Sequence, residues 1–132
     1  MIQTGTIHKL TFSVTEELTA LAVGSGTLEV LATPVLAAKL EECAWRAVSP
    51  LLSDGSSTVG TRLNLKHLSP TPVGLSVTCE AKVTRAEDRL ITFSLSAFDA
   101  AGPVAEGTHE RVVIQNERFL SKAKKKATDA GI

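Results

Sequence analysis

The sequence predicts an α+β protein in which one long helix lies across an antiparallel sheet. Two observations carry that prediction. The hydrophobic period is two along most of the chain and turns helical strongly only once, from Thr33. After that helix, turn signals separate four alternating runs in direct succession, which favours an antiparallel meander over crossover connections.

Each element has its own justification. Residues 4–14 alternate well enough for a first strand. Residues 15–32 are irregular around Gly24-Ser25-Gly26 and predict a short helix followed by a loop near the site. Thr33 then reads as an N-cap with Pro34 at the first helical position, where a missing N–H costs nothing. Leu36, Leu40, Ala44, Ala47, Val48 and Leu51 recur at spacings of three and four and form one apolar face. Ser49-Pro50 closes the helix, because the residue before proline resists the α conformation.

Beyond Asp54-Gly55 the period falls to two, with Val59, Thr61, Leu63, Leu65 and His67 sharing one phase. Pro70, Pro72 and Gly74 break that run, and Leu75, Val77, Cys79, Ala81 and Val83 set the apolar phase of the next. Glu87-Asp88-Arg89 turns the chain into a strand at 90–99, and Asp99-Ala100-Ala101-Gly102 turns it into another at 103–115. A short basic helix that frays is expected over 116–127, within a basic tail reaching residue 132.

At 132 residues the chain makes one domain, 1–132, with a real core. Hydrophobic residues at 43% beside 21% charged residues describe a soluble globular protein. A formal net charge of zero removes the electrostatic reason to expect nucleic acid or an acidic membrane. Trp45 and four phenylalanines are too few for a base-stacking platform. Cys43 and Cys79 read as buried free thiols, which suit a reducing compartment. The N-terminus offers neither a signal-peptide core nor a membrane span, so a cytoplasmic location is the expectation. No H-x-x-x-H, C-x-x-C or acidic cluster points to a metal. Neither a G-x-S-x-G elbow nor a phosphate-cradling loop is present. One helix cannot cover a sheet this wide, so a homodimer is expected.

Thr33, Glu41 and His67 are the candidate catalytic residues: a hydroxyl, a carboxylate and an imidazole are the parts acyl transfer or hydrolysis needs. Capping by Thr33 is compatible with such a role, since a helix N-terminus also presents N–H groups to an oxyanion. Glu41 has Ala37, Ala38, Ala44 and Trp45 at three and four residues either way, so it is expected among apolar groups. Glu42 instead has Lys39 and Arg46, and reads as the solvated acid. His67 ends its strand in the inward phase, either as a general base or as a satisfied core imidazole.

Four blocks in order, L-A-T-P-V-L with Glu41, V-G-T-R-L-N-L-K-H-L-S-P-T-P-V-G, E-G-T-H-E-R-V-V-I and F-L, resemble the fluoroacetyl-CoA thioesterase family over roughly residues 10–120. The resemblance implies a hotdog fold, assembled as a homodimer or a dimer of dimers, with the active site where two subunits meet. It implies that Thr33, His67 and Glu41 form the catalytic set, Glu41 acting as base or nucleophile. It also places Gly60 and Arg111 near the substrate, although Arg111 also reads as an ion-pair partner of Glu110 or Glu80 on the sheet face. An acyl-CoA thioester would be hydrolysed without a cofactor, coenzyme A entering as part of the substrate. Fluoroacetyl-CoA enzymes of this kind carry phenylalanines before the helix, where this chain has G-S-G-T-L-E-V-L, so a different short acyl group or broad specificity is expected. Two alternatives use the same framework: a hotdog hydratase or dehydratase, whose D-x-x-x-x-H motif is missing, and a non-catalytic acyl-CoA or small-acid binding protein. Lys122, Lys124, Lys125 and Lys126 read most simply as a solvated tail.

Overall fold

A computed structural model describes residues 1–132. Strand β1 (Ile7–Ser13) leads through a 3₁₀ turn at Glu16–Leu18 and the short helix α1 (Ala20–Val23) into the long helix α2 (Thr33–Val48). Strands β2 (Ser56–His67), β3 (Ser76–Glu87), β4 (Leu90–Asp99) and β5 (Gly102–Gln115) follow, and α3 (Asn116–Asp129) ends the chain. The five strands form one antiparallel sheet in the order β1-β3-β4-β5-β2. The sheet wraps α2, which is the hotdog arrangement the resemblance implies. No helix is long and apolar enough to cross a membrane.

The core follows from two periodicities meeting. Leu36, Leu40, Cys43, Ala44, Ala47 and Val48 are buried on one stripe of α2. They meet the alternate residues Val77, Cys79, Ala81 and Val83 of β3 and Ile91, Phe93, Leu95 and Ala97 of β4. Complete burial of a leucine such as Leu40 contributes about 1.5–3 kcal/mol. Both thiols lie in this core, as expected, and burial pushes Cys43 up to about 11 and Cys79 up to about 12. Asp88 takes a left-handed conformation (φ 55°), which lets the β3–β4 hairpin turn within two residues.

Four expectations are corrected. Thr33 is not the N-cap: Ala32 is, and no side chain caps the helix, so Thr33 lies at its first position with its hydroxyl free for another partner. Leu51 leaves the apolar face, because the chain passes into a 3₁₀ turn at Ser49–Leu51 and exposes it. Strand β2 does not keep one phase. A bulge between Gly60 and Arg62 puts Thr61 out of the pairing register, so Thr58 and Gly60 share the inner face with Leu63, Leu65 and His67, while Val59 faces away. The tail is helical through Asp129 rather than 127, and none of its residues is buried.

Candidate active site

The first cluster joins the start of α2 to the end of β2. Thr33 Oγ1 lies 2.8 Å from His67 Nδ1. The uncapped helix start makes this contact, because a capping threonine would point its oxygen at its own helix. Pairing of His67 with Ala105 fixes the strand end opposite that helix start. His67 Nε2 is buried and has no hydrogen-bond partner. Desolvation lowers the pKa of His67 and the nearby Ser69 backbone opposes this more weakly, so the neutral imidazole is favoured. A cleft of about 330 Å³ opens here between Ala20, Ser25, Val30 and Leu31 on one side and Leu68, Ser69 and Pro70 on the other. Apart from the His67 imidazole, no aromatic side chain lines it.

The second cluster sits on β5 and the edge strand β2, beneath α2. Arg111 is buried, with Nε donating to Thr58 Oγ1 at 2.8 Å and Nη2 donating to Thr58 O at 3.0 Å. Its Nη1 lies 3.5 Å from Glu41 Oε2 and 3.2 Å from His109 Nε2. The Arg111 partner is therefore Glu41, and neither Glu110 nor Glu80. Burial lowers the Arg111 pKa and the Glu41 charge opposes the shift. A Cβ on Gly60 would stand 2.9 Å from Glu41 Oε2 and 3.2 Å from both Arg111 Nη1 and His109 Cε1. Glycine is thus what allows the carboxylate and guanidinium to meet over β2.

Glu41 is less enclosed than its neighbours imply. Its side chain is 41% exposed, because the adjoining Ala38 and Trp45 lie on the open flank of α2 and not on the stripe facing the sheet. Glu42 behaves as expected, pairing with Arg46 at 2.9 Å and Lys39 at 3.9 Å. Within one chain Glu41 makes no ion pair or hydrogen bond with Thr33 or His67. Eight residues of helix separate Thr33 from Glu41, about 12 Å along the axis. The structure brings together Thr33 with His67, and Glu41 with Gly60 and Arg111, as two half-sites.

His109 is the member of this constellation that the sequence reading passed over. It is fully buried beside Phe93, the ring centroids 6.0 Å apart, and its Nδ1 lies 2.7 Å from Arg62 O. The available signal was phase: Ala105, Gly107, His109, Arg111 and Val113 alternate on the inner face, so an imidazole and a guanidinium interrupt an otherwise small or apolar stripe.

A protein-family model described as fluoroacetyl-CoA-specific thioesterase matches residues 14–117. A fluoroacetyl-CoA thioesterase from Streptantibioticus cattleyicolor is 38% identical over 103 residues, which span 78% of this chain and 73% of that protein. A solved structure of a fluoroacetyl-CoA thioesterase superposes with a TM-score of 0.91 at 30% identity, covering 96% of this chain and 98% of that one. A hot-dog-like protein from Thermanaerovibrio acidaminovorans gives a TM-score of 0.87 at 26% identity, over 95% of this chain and 93% of the other.

Proposed function

The chain belongs to the fluoroacetyl-CoA-specific thioesterase family, and from that premise we propose that it hydrolyses short acyl-CoA thioesters to free coenzyme A and a carboxylic acid. The match through residues 14–117, which contains both half-sites, carries this reading. No cofactor is needed, and coenzyme A arrives as part of the substrate.

The residues divide the work by position. The Thr33 hydroxyl donates to His67 Nδ1, which leaves the imidazole proton on Nε2, the buried nitrogen without a partner. Glu41 takes a proton from the attacking water, and the new C–O bond forms as the thioester carbonyl becomes an oxyanion. Collapse of that intermediate breaks the C–S bond, and the departing thiolate is met by the His67 Nε2–H as a hydrogen-bond donor. The proton that Glu41 took from water passes through solvent to the sulfur, which frees coenzyme A as the thiol and restores the Glu41 carboxylate. Free N–H groups at the start of α2 favour the developing oxyanion. Arg111 and Gly60 hold Glu41 and the acyl end of the substrate in place.

A homodimer completes the site. Strand β2 is an edge of the sheet, paired on one side only, by β5. Antiparallel pairing of two β2 edges about a two-fold axis near Leu63 and Asn64 brings Gly60 of one protomer level with the partner's His67. Each active site then takes Glu41 and Arg111 from one chain and Thr33 and His67 from the other. The phenylalanine-free segment 24–31 leaves the acyl cleft without an aromatic wall, so acetyl-, fluoroacetyl- and propionyl-CoA should be turned over at comparable rates. The protein works in the cytoplasm, where acyl-CoA is made and two buried thiols stay reduced.

Release of free thiol from a panel of acyl-CoAs tests the assignment. Turnover of at least one short acyl-CoA is expected. A protein that binds acyl-CoA and releases no thiol from any of them is a binding protein, and the reading fails.

A further inference from the structure

We propose that His109 is a positioning residue, which fixes Arg111 against Glu41 through a single, defined tautomer. The inference rests on the thioesterase reading for its functional meaning and on hydrogen-bond chemistry for its geometry. Arg62 O is a carbonyl and can only accept, so His109 Nδ1, 2.7 Å away, carries the proton. The neutral ring then has a bare Nε2. Arg111 Nη1, 3.2 Å from that nitrogen, is a donor without acceptor capacity, so it donates a hydrogen bond to Nε2. The two bonds agree on one tautomer, and a protonated imidazole would set two donors face to face. Groups facing the ring are Arg111 on β5, Phe93 on β4, Arg62 O on β2 and, beyond Arg111, Glu41 on α2.

The sequence device behind this is the bulge in β2. Inserting Thr61 into the strand shifts the ladder between Gly60 and Arg62. The shift turns the Arg62 carbonyl toward the His109 ring, and Thr61 Oγ1 donates to the neighbouring Glu110 carbonyl at 3.2 Å. It also returns Gly60 to the inner face, under Glu41. One inserted residue therefore supplies both the clearance for the carboxylate and the anchor for the ring behind it. Arg111 ends with three acceptors, Thr58 Oγ1, Thr58 O and His109 Nε2, and keeps the second Nη1 hydrogen for Glu41. A guanidinium so fixed has one orientation, and Glu41 inherits it.

Two substitutions separate the halves of the ring. His109→Gln places an acceptor where Nε2 stands. His109→Asn keeps a donor near Nδ1 and leaves Arg111 Nη1 without its acceptor. Expected kcat/KM for acetyl-CoA is within about threefold of wild type for His109→Gln and about tenfold to a hundredfold lower for His109→Asn, the effect of losing a hydrogen bond to a charged group. In an Arg111→Lys background, adding His109→Asn should cost less than about twofold, because the effect runs through the guanidinium. Nitrogen chemical shifts of the His109 ring at neutral pH should show a protonated Nδ1 and a bare Nε2. Loss in His109→Gln as deep as in His109→Asn, losses that multiply in the Arg111→Lys background, or a protonated Nε2 would each overturn the proposal. Should His109→Asn not fold, the glutamine variant and the ring spectrum still decide. A wild-type protein that cleaves no acyl-CoA sinks the thioesterase reading instead, and the spectrum then tests the tautomer alone.

Discussion

Adjacent acids on one helix face opposite fates, and Glu41 and Glu42 measure how far residue-scale chemistry follows from position. Glu42 is tied to Arg46 and Lys39 at the surface, pairs that contribute a few tenths of a kcal/mol. Glu41 meets the buried Arg111. Glu41→Gln should therefore abolish most hydrolysis and Glu42→Gln should leave it near wild type, with steady-state rates on acetyl-CoA as the measure. Equal losses would show that the helix face does not decide. The pKa of His67 is lowered by burial, so the neutral ring persists below its usual pKa of about 6.5. Hydrolysis should hold level through neutral pH and decline as acid protonates the ring and breaks its acceptor bond to Thr33. His109 is lowered too, chiefly by burial. The unfolded chain takes up these protons first, so the two rings stabilise the fold above about pH 6.5 and lose that contribution as pH falls through their lowered values. A pH–rate profile that rises toward pH 5 would contradict the proton role of His67.

At the scale of elements, much of the fold was legible and the reasons are local. The α2 stripe, the inward phase of β3 and the turns at Glu87–Arg89 and Asp99–Gly102 follow from side-chain periodicity and turn chemistry, which neighbouring residues alone determine. The bulge was not legible, because apolar residues fall in one unbroken alternation through Val59, Leu63 and Leu65 and a register shift leaves no mark in composition. The free hydroxyl of Thr33 escaped for a similar reason: Thr-Pro reads as cap and first turn, and only His67, brought from 34 residues away, shows otherwise. The bulge also makes Gly60 the sharpest probe of an element. In Gly60→Ala the new methyl meets the Glu41 carboxylate, the mobile end of a side chain, at 2.9 Å. Melting temperature should change little, whereas kcat/KM should drop by about a hundredfold, as misplacing a reacting group by about 1 Å does. A variant that unfolds, or that keeps full activity, would mean the glycine serves the strand and not the site.

At the scale of the whole molecule, the proposed dimer is what would join the two clusters into one site. Thr33 and Glu41 lie about 12 Å apart along the axis of α2, and each has its own set of partners. Mixing the inactive Glu41→Gln and His67→Ala proteins, with exchange of subunits, should restore about a quarter of wild-type activity, since half of the dimers are mixed and each holds one intact site. No recovery after demonstrated exchange would place all three residues in one chain's site. Diluting the wild type should lower activity in step with dimer dissociation seen by sedimentation.

The strand order carries a consequence for the order in which the protein becomes itself. Strands β3, β4 and β5 are joined by tight hairpins, so their pairings close short loops. Strand β1 reaches across the chain to pair Ile7 with Lys82, and β2 pairs Ser56 with Gln115. Closing those long loops costs more chain entropy before any contact repays it, so the edges zip after the centre. His67, Gly60 and Thr58 all ride on an edge. A refolding chain should therefore protect the amides of β3–β5 first, then those of β2, and recover hydrolysis last, at a rate that rises with protein concentration. Pulse-labelled hydrogen exchange alongside activity recovery would reveal the sequence of events, and simultaneous, concentration-independent recovery would refute it. Core and catalysis would then be two successive achievements of one chain, the second waiting on a neighbour.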